Sequence, residues 1–126
     1  MTYTTSGISV RNNSNSNNNY SDYAGSGVNN LLFSSNSNFT IEKIAVNSVN
    51  LRLTFGTERY AYGEDDNTFN HDEFKVQLSN DGTNWSAPLT YTFAMGVDPN
   101  GRWDLASSDF SLPEGTTSLY IRFRSR

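Results

Sequence analysis

The sequence predicts an all-β fold, an antiparallel β-sandwich of jelly-roll type with about eight strands in two sheets. Three observations predict it. Apolar and polar residues alternate with period two: Leu51, Leu53 and Phe55 flank Arg52 and Thr54, and Phe74, Val76 and Leu78 flank Lys75 and Gln77. Turn signals separate such runs, at Asn80-Asp81-Gly82, Asp98-Pro99-Asn100-Gly101 and Pro113-Glu114-Gly115. No stretch of useful length carries a helical period, and the abundance of Asn, Ser, Thr, Gly and aromatic residues is β composition. With 126 residues, the chain has material for one core, so residues 1–126 are expected to form one sandwich domain.

Taken in order, Met1 to Val10 alternate weakly and are expected to form an opening edge strand. Asn12 to Asn19 contain only Asn and Ser, which hydrogen-bond to nearby backbone and bury nothing, so a long surface loop is expected there. Leu31, Leu32 and Phe33 begin a buried strand, and Phe39 to Val46 form the next. Phe74 to Leu78 and Trp85 to Phe93 read as the two arms of a hairpin around the Asn80-Asp81-Gly82 turn. Trp103 and Leu105 start a strand that is expected to shift register before Phe110 and Leu112. Leu119, Ile121 and Phe123 then point to one face, and Tyr120, Arg122 and Arg124 to the other. The expected core joins these three to Phe33, Ile41, Leu51, Leu53, Phe55, Phe74, Val76, Leu78 and Leu89. Trp85 and Trp103 are assigned to core packing rather than to ligand stacking.

Composition also narrows function. Thirteen acidic residues against nine Lys and Arg give a net charge of −4, which gains nothing from counterion release on a polyphosphate and argues against nucleic acid as a partner. The absence of cysteine excludes disulfides, thiolate metal sites and a cysteine nucleophile. No run approaches the roughly 20 apolar residues needed to span a bilayer as a helix, so membrane insertion is not expected. Met1 to Val10 lack the basic-then-apolar order of a signal peptide, which leaves a cytosolic protein or a module of a longer exported chain; because the chain stops at Arg126 directly after a strong strand, the expectation is the second, secreted or at the cell surface.

The catalytic constellations read poorly. The single histidine, His71, stands in a loop crowded with acids and has no nucleophile elbow beside it, so a solvated loop residue accounts for it. Glu58, Glu64, Asp65, Asp66, Asp72 and Glu73 supply carboxylates, but glycoside hydrolysis needs a pair in a deep, partly desolvated cleft that one small sandwich seldom builds. The chain is therefore not expected to be an enzyme.

The segment FKVQLSNDGTNWS, Phe74 to Ser86, resembles the strand, turn and strand of discoidin-type and other galactose-binding-domain-like modules. SGVNNLLFSS, Ser26 to Ser35, looks like the early strand of such modules, and LPEGTTSLYIRFRS, Leu112 to Ser125, like their last. The arrangement from about Gly25 onward is similar to jelly-roll domains appended to secreted or surface proteins of gut bacteria. The resemblance implies a non-catalytic, commonly carbohydrate-binding module, export, and often a structural calcium ion. One departure is plain: many discoidin domains tie their terminal strands by a disulfide, which this chain cannot make. Ligand contacts in these modules sit on variable loops, so no binding residue carries over.

The segment Thr57 to Asp72 is the most informative. About sixteen residues join two strands, a length usually reserved for functional or disordered loops, and its aromatic residues argue against disorder. Sugars offer C–H faces to rings and hydroxyls to carboxylates and amides, so the expected glycan site centres on Tyr60 and Tyr62 with Glu58, Asp65 and Asn67 as hydrogen-bonding partners. The alternative is that the two tyrosines brace the loop against the sheet, with Phe69 as its core anchor. Asp65, Asp66 and Asp72, beside Asn67 and Asn70, are candidate oxygen ligands for Ca²⁺. Arg52, Lys75, Arg122 and Arg124 all fall on polar strand faces; they are a solvated surface or, if their strands are neighbours, a patch that accepts an acidic sugar or a partner's carboxylates. The functional expectation is a non-catalytic carbohydrate-binding or glycan-adhesion module; the alternative is a structural spacer or protein-interaction sandwich without a sugar site.

Overall fold

A computed structural model describes residues 1–12, 29–59, 71–96, 99 and 103–126. Seven strands run through them: β1 (Thr2–Asn12), β2 (Asn29–Ala45), β3 (Asn50–Thr57), β4 (Phe74–Ser79), β5 (Thr92–Phe93), β6 (Asp104–Ser111) and β7 (Ser118–Ser125). They form an all-β sandwich of two antiparallel sheets, in the order β1-β2-β7-β4 and β3-β6-β5. No helix occurs among the described residues.

Period-two alternation places the core as expected. Val76, Leu78, Leu119, Ile121 and Phe123 are buried, and Phe33, Ile41, Leu51, Leu53, Phe55, Phe74 and Leu89 pack against them half-buried. Aromatic rings weld the two sheets. Phe55 of β3 meets Phe123 of β7 edge-on at 5.3 Å and Tyr91 at 5.4 Å, and within the four-stranded sheet Phe33 meets Phe74 at 5.0 Å. Edge-to-face contacts of this kind add to the area buried, because the positive ring edge meets the negative face.

Three expectations about elements are corrected. The strands foreseen at Leu31 and Phe39 are one, the 17-residue β2. Continuity is kept by a bulge: Gly7 of β1 adopts φ +69° where the register shifts between Ser6 and Ile8, and the Ser37 hydroxyl donates to the Gly7 carbonyl at 2.7 Å. Ser37 is 1% exposed, accepts from the Ser34 N–H at 2.9 Å and donates its own N–H to Ser125 Oγ at 3.0 Å, so it ties β1, β2 and β7 together.

The hairpin foreseen from Phe74 to Phe93 is not formed. β4 and β5 belong to different sheets, and β5 is two residues long. Pro88 lacks the donor a ladder needs, so residues 84–91 lie along β4 with isolated bonds only, Ser86 N–H to the Leu78 carbonyl and Leu89 N–H to the Val76 carbonyl, both 2.8 Å.

The register shift foreseen in β6 is also absent, since β6 pairs with β3 without a break from Ser111 to Asp104. Leu105 points out and is 39% exposed, while Ala106 is fully buried opposite Phe55. The ring of Phe55 takes up the interior volume, and a small neighbour fits beside it.

Candidate functional site

Two outer faces carry functional groups in the described residues, one on each sheet. On the three-stranded sheet, β3 and β6 place Arg52 opposite Asp109 and Asn50 opposite Ser111. The Arg52 guanidinium grips the Asp109 carboxylate with two bonds, Nε to Oδ1 at 2.6 Å and Nη2 to Oδ2 at 3.3 Å. The hydrogen bond to Arg52 holds the Asp109 carboxyl below its ordinary pKa, and the same bond raises that of Arg52. Ser111 Oγ donates to Asn50 Oδ1 at 2.8 Å. These four residues, with Leu51 and Phe110, line an open depression of about 450 Å³. Guanidinium, carboxylate, amide and hydroxyl thus stand side by side on one exposed ladder.

On the four-stranded sheet, β4 and β7 place Lys75 opposite Arg124 and Gln77 opposite Arg122, while β2 places Asn38 on the other side of Arg124. Arg122 is held from two directions. Its Nη2 donates to Gln77 Oε1 at 2.9 Å, and its guanidinium carbon lies 4.2 Å from the centre of the Trp85 ring. Gln77 is itself fixed, its amide donating to the Ser86 carbonyl at 3.0 Å. Burial under this cover, then repulsion from Arg124, lowers the Arg122 pKa. Among the described residues, no carboxylate comes within ion-pair distance of Lys75, Arg122 or Arg124.

The loop under Trp85 is rigid by construction. Asp81 accepts the N–H groups of Thr83 and Asn84, both at 2.8 Å, the Asn84 amide at 2.7 Å and the Ser79 hydroxyl at 2.9 Å. Those bonds, led by the Asn84 N–H, push its pKa far below the ordinary value of 3.8. Gly82 turns the chain at φ +77°, where an added Cβ would lie 2.9 Å from the Tyr120 ring.

Of the residues singled out in the sequence, Tyr60, Tyr62, Asp65, Asp66 and Asn67 lie outside the described residues, as does Phe69. Glu58 is half-buried just past β3, and Asp72 is exposed in the turn before β4. Among the described residues no three His, Cys, Asp or Glu side chains gather as metal ligands. His71 packs its ring against Tyr91 at 4.5 Å and Phe93 at 5.6 Å. Trp103 is buried as expected, but Trp85 is a correction: it lies half-buried outside the core cluster, on the outer face against Arg122. Arg52 separates from the other three cations onto the opposite sheet, and Asp109 neutralises it.

Sequence reasoning missed the Asn50–Ser111 and Arg52–Asp109 pairs because only the β3–β6 register brings them together. The outward alternation of Arg52 was the one local signal. No protein-family model, curated protein or solved structure matches this chain.

Proposed function

We propose that the chain is a non-catalytic carbohydrate-binding module that serves adhesion to glycans as one unit of an exported protein. The observation that supports this reading is the depression on the β3–β6 face. It is shallow and open, and its floor joins the planar Arg52–Asp109 pair to the Asn50 amide and Ser111 hydroxyl. A pyranose needs donors and acceptors arranged side by side on a surface it can lie across, and a volume of about 450 Å³ is within the usual range of small-ligand sites. A surface ion pair contributes little to folding, so its fixed geometry is free to serve recognition.

A glycan array tests the proposal, followed by titration of the best binder against Asp109→Ala and Arg52→Ala. Both variants should lose most of the binding and keep the melting temperature of the parent chain. Full binding by both variants would place any sugar site elsewhere, and an array without a binder would favour the protein-interaction reading. That second reading has its own observation: β1 is an edge strand with Tyr3 and Val10 each 68% exposed, a feature suited to pairing with another chain.

A further inference from the structure

The outer face of the four-stranded sheet carries a charge arrangement that the depression on the opposite sheet does not explain. We propose that Lys75, Arg122 and Arg124 form a second binding site, specific for the carboxylate of an acidic sugar such as a uronic acid. The inference rests on the glycan reading for the source of the carboxylate, while the site itself follows from the β4–β7 register.

Lys75 and Arg124 are directly opposed across antiparallel strands. Opposed positions hold their Cβ atoms about 5 Å apart, and like charges there are destabilising. Arg122 is two residues along β7 on the same face, about 7 Å from Arg124 by strand geometry. A chain with thirteen acids and nine bases has ample means to neutralise three adjacent cations, yet among the described residues no carboxylate pairs with any of them. The fold therefore carries a repulsion that an arriving anion relieves. Arg122 is already immobilised between Trp85 and Gln77, so it loses little freedom on binding, whereas Arg124 is exposed and able to close on a ligand.

The surroundings select a sugar acid over other anions. An extended acidic peptide would need a strand edge for its backbone groups, and the β4 margin is occupied by residues 84–91 through the bonds to Val76 and Leu78. The ligand must then lie across the sheet face and be held by side chains, which suits a stiff saccharide. Nucleic acid and densely sulfated chains meet the net charge of −4 as a long-range repulsion, whereas a saccharide with at most one carboxylate per ring engages the local patch alone. Asn38, beside Arg124 on β2, accepts the Thr40 hydroxyl on its Oδ1 at 3.1 Å and keeps its amide N–H groups for a sugar hydroxyl.

The test is titration calorimetry of the whole chain with tetragalacturonate and a hyaluronan tetrasaccharide, each beside its methyl ester, which keeps the shape and removes the charge. The free acid of at least one should bind about tenfold or more tightly than its ester, and the preference should fade in about 0.5 M salt. Lys75→Gln and Arg124→Gln should each abolish the preference. Lys75→Gln should also raise the melting temperature of the free protein, because it removes the opposed charge; a merely structural lysine would lower it. Equal affinity for acid and ester, or an acid preference that survives both substitutions, overturns the site and leaves neutral glycan binding standing. Binding of an oligoglutamate peptide in place of the sugar acids also overturns it. Failure of acids, esters and the glycan array together overturns the glycan reading as well.

Discussion

The two margins of the four-stranded sheet are built in opposite ways. At one margin, β4 is buried on both faces from Val76 to Ser79, because residues 84–91 lie along its edge and over its outer side. Ser86 alone supplies three contacts: its N–H donates to the Leu78 carbonyl, its hydroxyl accepts the Leu78 N–H at 3.0 Å, and its carbonyl accepts the Gln77 amide. The Tyr91 hydroxyl adds a bond to the Phe74 carbonyl at 2.6 Å. At the other margin, β1 is exposed at every residue from Thr2 to Val10 except Ile8, and its close ties are to β2. The contrast teaches where rigidity is concentrated. Cooperative stability follows buried contacts and protected backbone, so the β4 margin is the stiff one, and it is beside this margin that the cationic face stands. A strand with an unpaired edge opens first.

The largest expected effect breaks or sustains this contrast directly. Leu78→Ala removes a core side chain 6% exposed and should cost about 2–5 kcal/mol in denaturant unfolding. Val10→Ala, at a residue 68% exposed on β1, should stay within about 0.5 kcal/mol. Equal costs would mean that the margins are equally integrated. Hydrogen exchange gives the same comparison without mutation: amides of Val76 and Leu78 should open only with global unfolding, and those of β1 well before it.

A second pair of substitutions asks how each margin is anchored. Gly82→Ala forces a side chain into a positive φ and against the Tyr120 ring, so the cover of β4 should loosen at a cost of about 1–3 kcal/mol. Ser37→Ala strands the Ser34 N–H and the Gly7 carbonyl at the β1 bulge and should cost about 1–3 kcal/mol. The sites of the damage should differ: faster exchange around β4 for the first, around β1 for the second. Ser86→Ala is milder. It removes only the hydroxyl that accepts the Leu78 N–H, an expected loss of about 1 kcal/mol, again read at β4.

How legible this was depends on whether a contact is local. Strand faces on β3, β4 and β7 follow from alternation, so all twelve expected core positions lie in the core or against it. Residues 84–91 misled for the same reason: Trp85, Leu89, Tyr91 and Phe93 alternate, but Pro88 prevents a ladder, and the chain crosses from one sheet to the other before β5. In β6 the bulky Leu105 faces out while Asp104, Ala106 and Ser108 are buried and Phe110 packs against the core, because partner volume across the sheets decides and no local pattern records it. The cations on Lys75, Arg122 and Arg124 were legible as outward-facing; that they adjoin required the β4–β7 pairing. Trp85 as the platform under Arg122 has no signature in the sequence.

The smallest expected effect is titration of the Asp81 turn that holds the cover over β4. Asp81 is fully exposed, yet its carboxylate accepts bonds from Thr83, Asn84 and Ser79, and these depress its pKa in the folded chain. A depressed carboxyl binds fewer protons folded than unfolded between the two pKa values, so stability there rises with pH. Its contribution is complete above the ordinary value of 3.8 and declines steadily as pH falls below it. Asp81→Asn keeps a side-chain oxygen for the Thr83 and Asn84 N–H groups but cannot ionise. The variant should therefore be slightly less stable than the parent at neutral pH, and the gap between the two melting curves should narrow steadily as pH falls below 3.8, because the unfolded parent takes up a proton that the folded turn resists. Loss should appear first as faster exchange near Gly82 and Ser86, with the β1–β2 amides unmoved, because the turn is bonded to Ser79 of β4 and packs on Tyr120 of β7, away from β1. Parallel melting curves from neutral to acid pH would show that the charge of Asp81 contributes nothing to that margin and that its hydrogen-bonding geometry alone sets the turn.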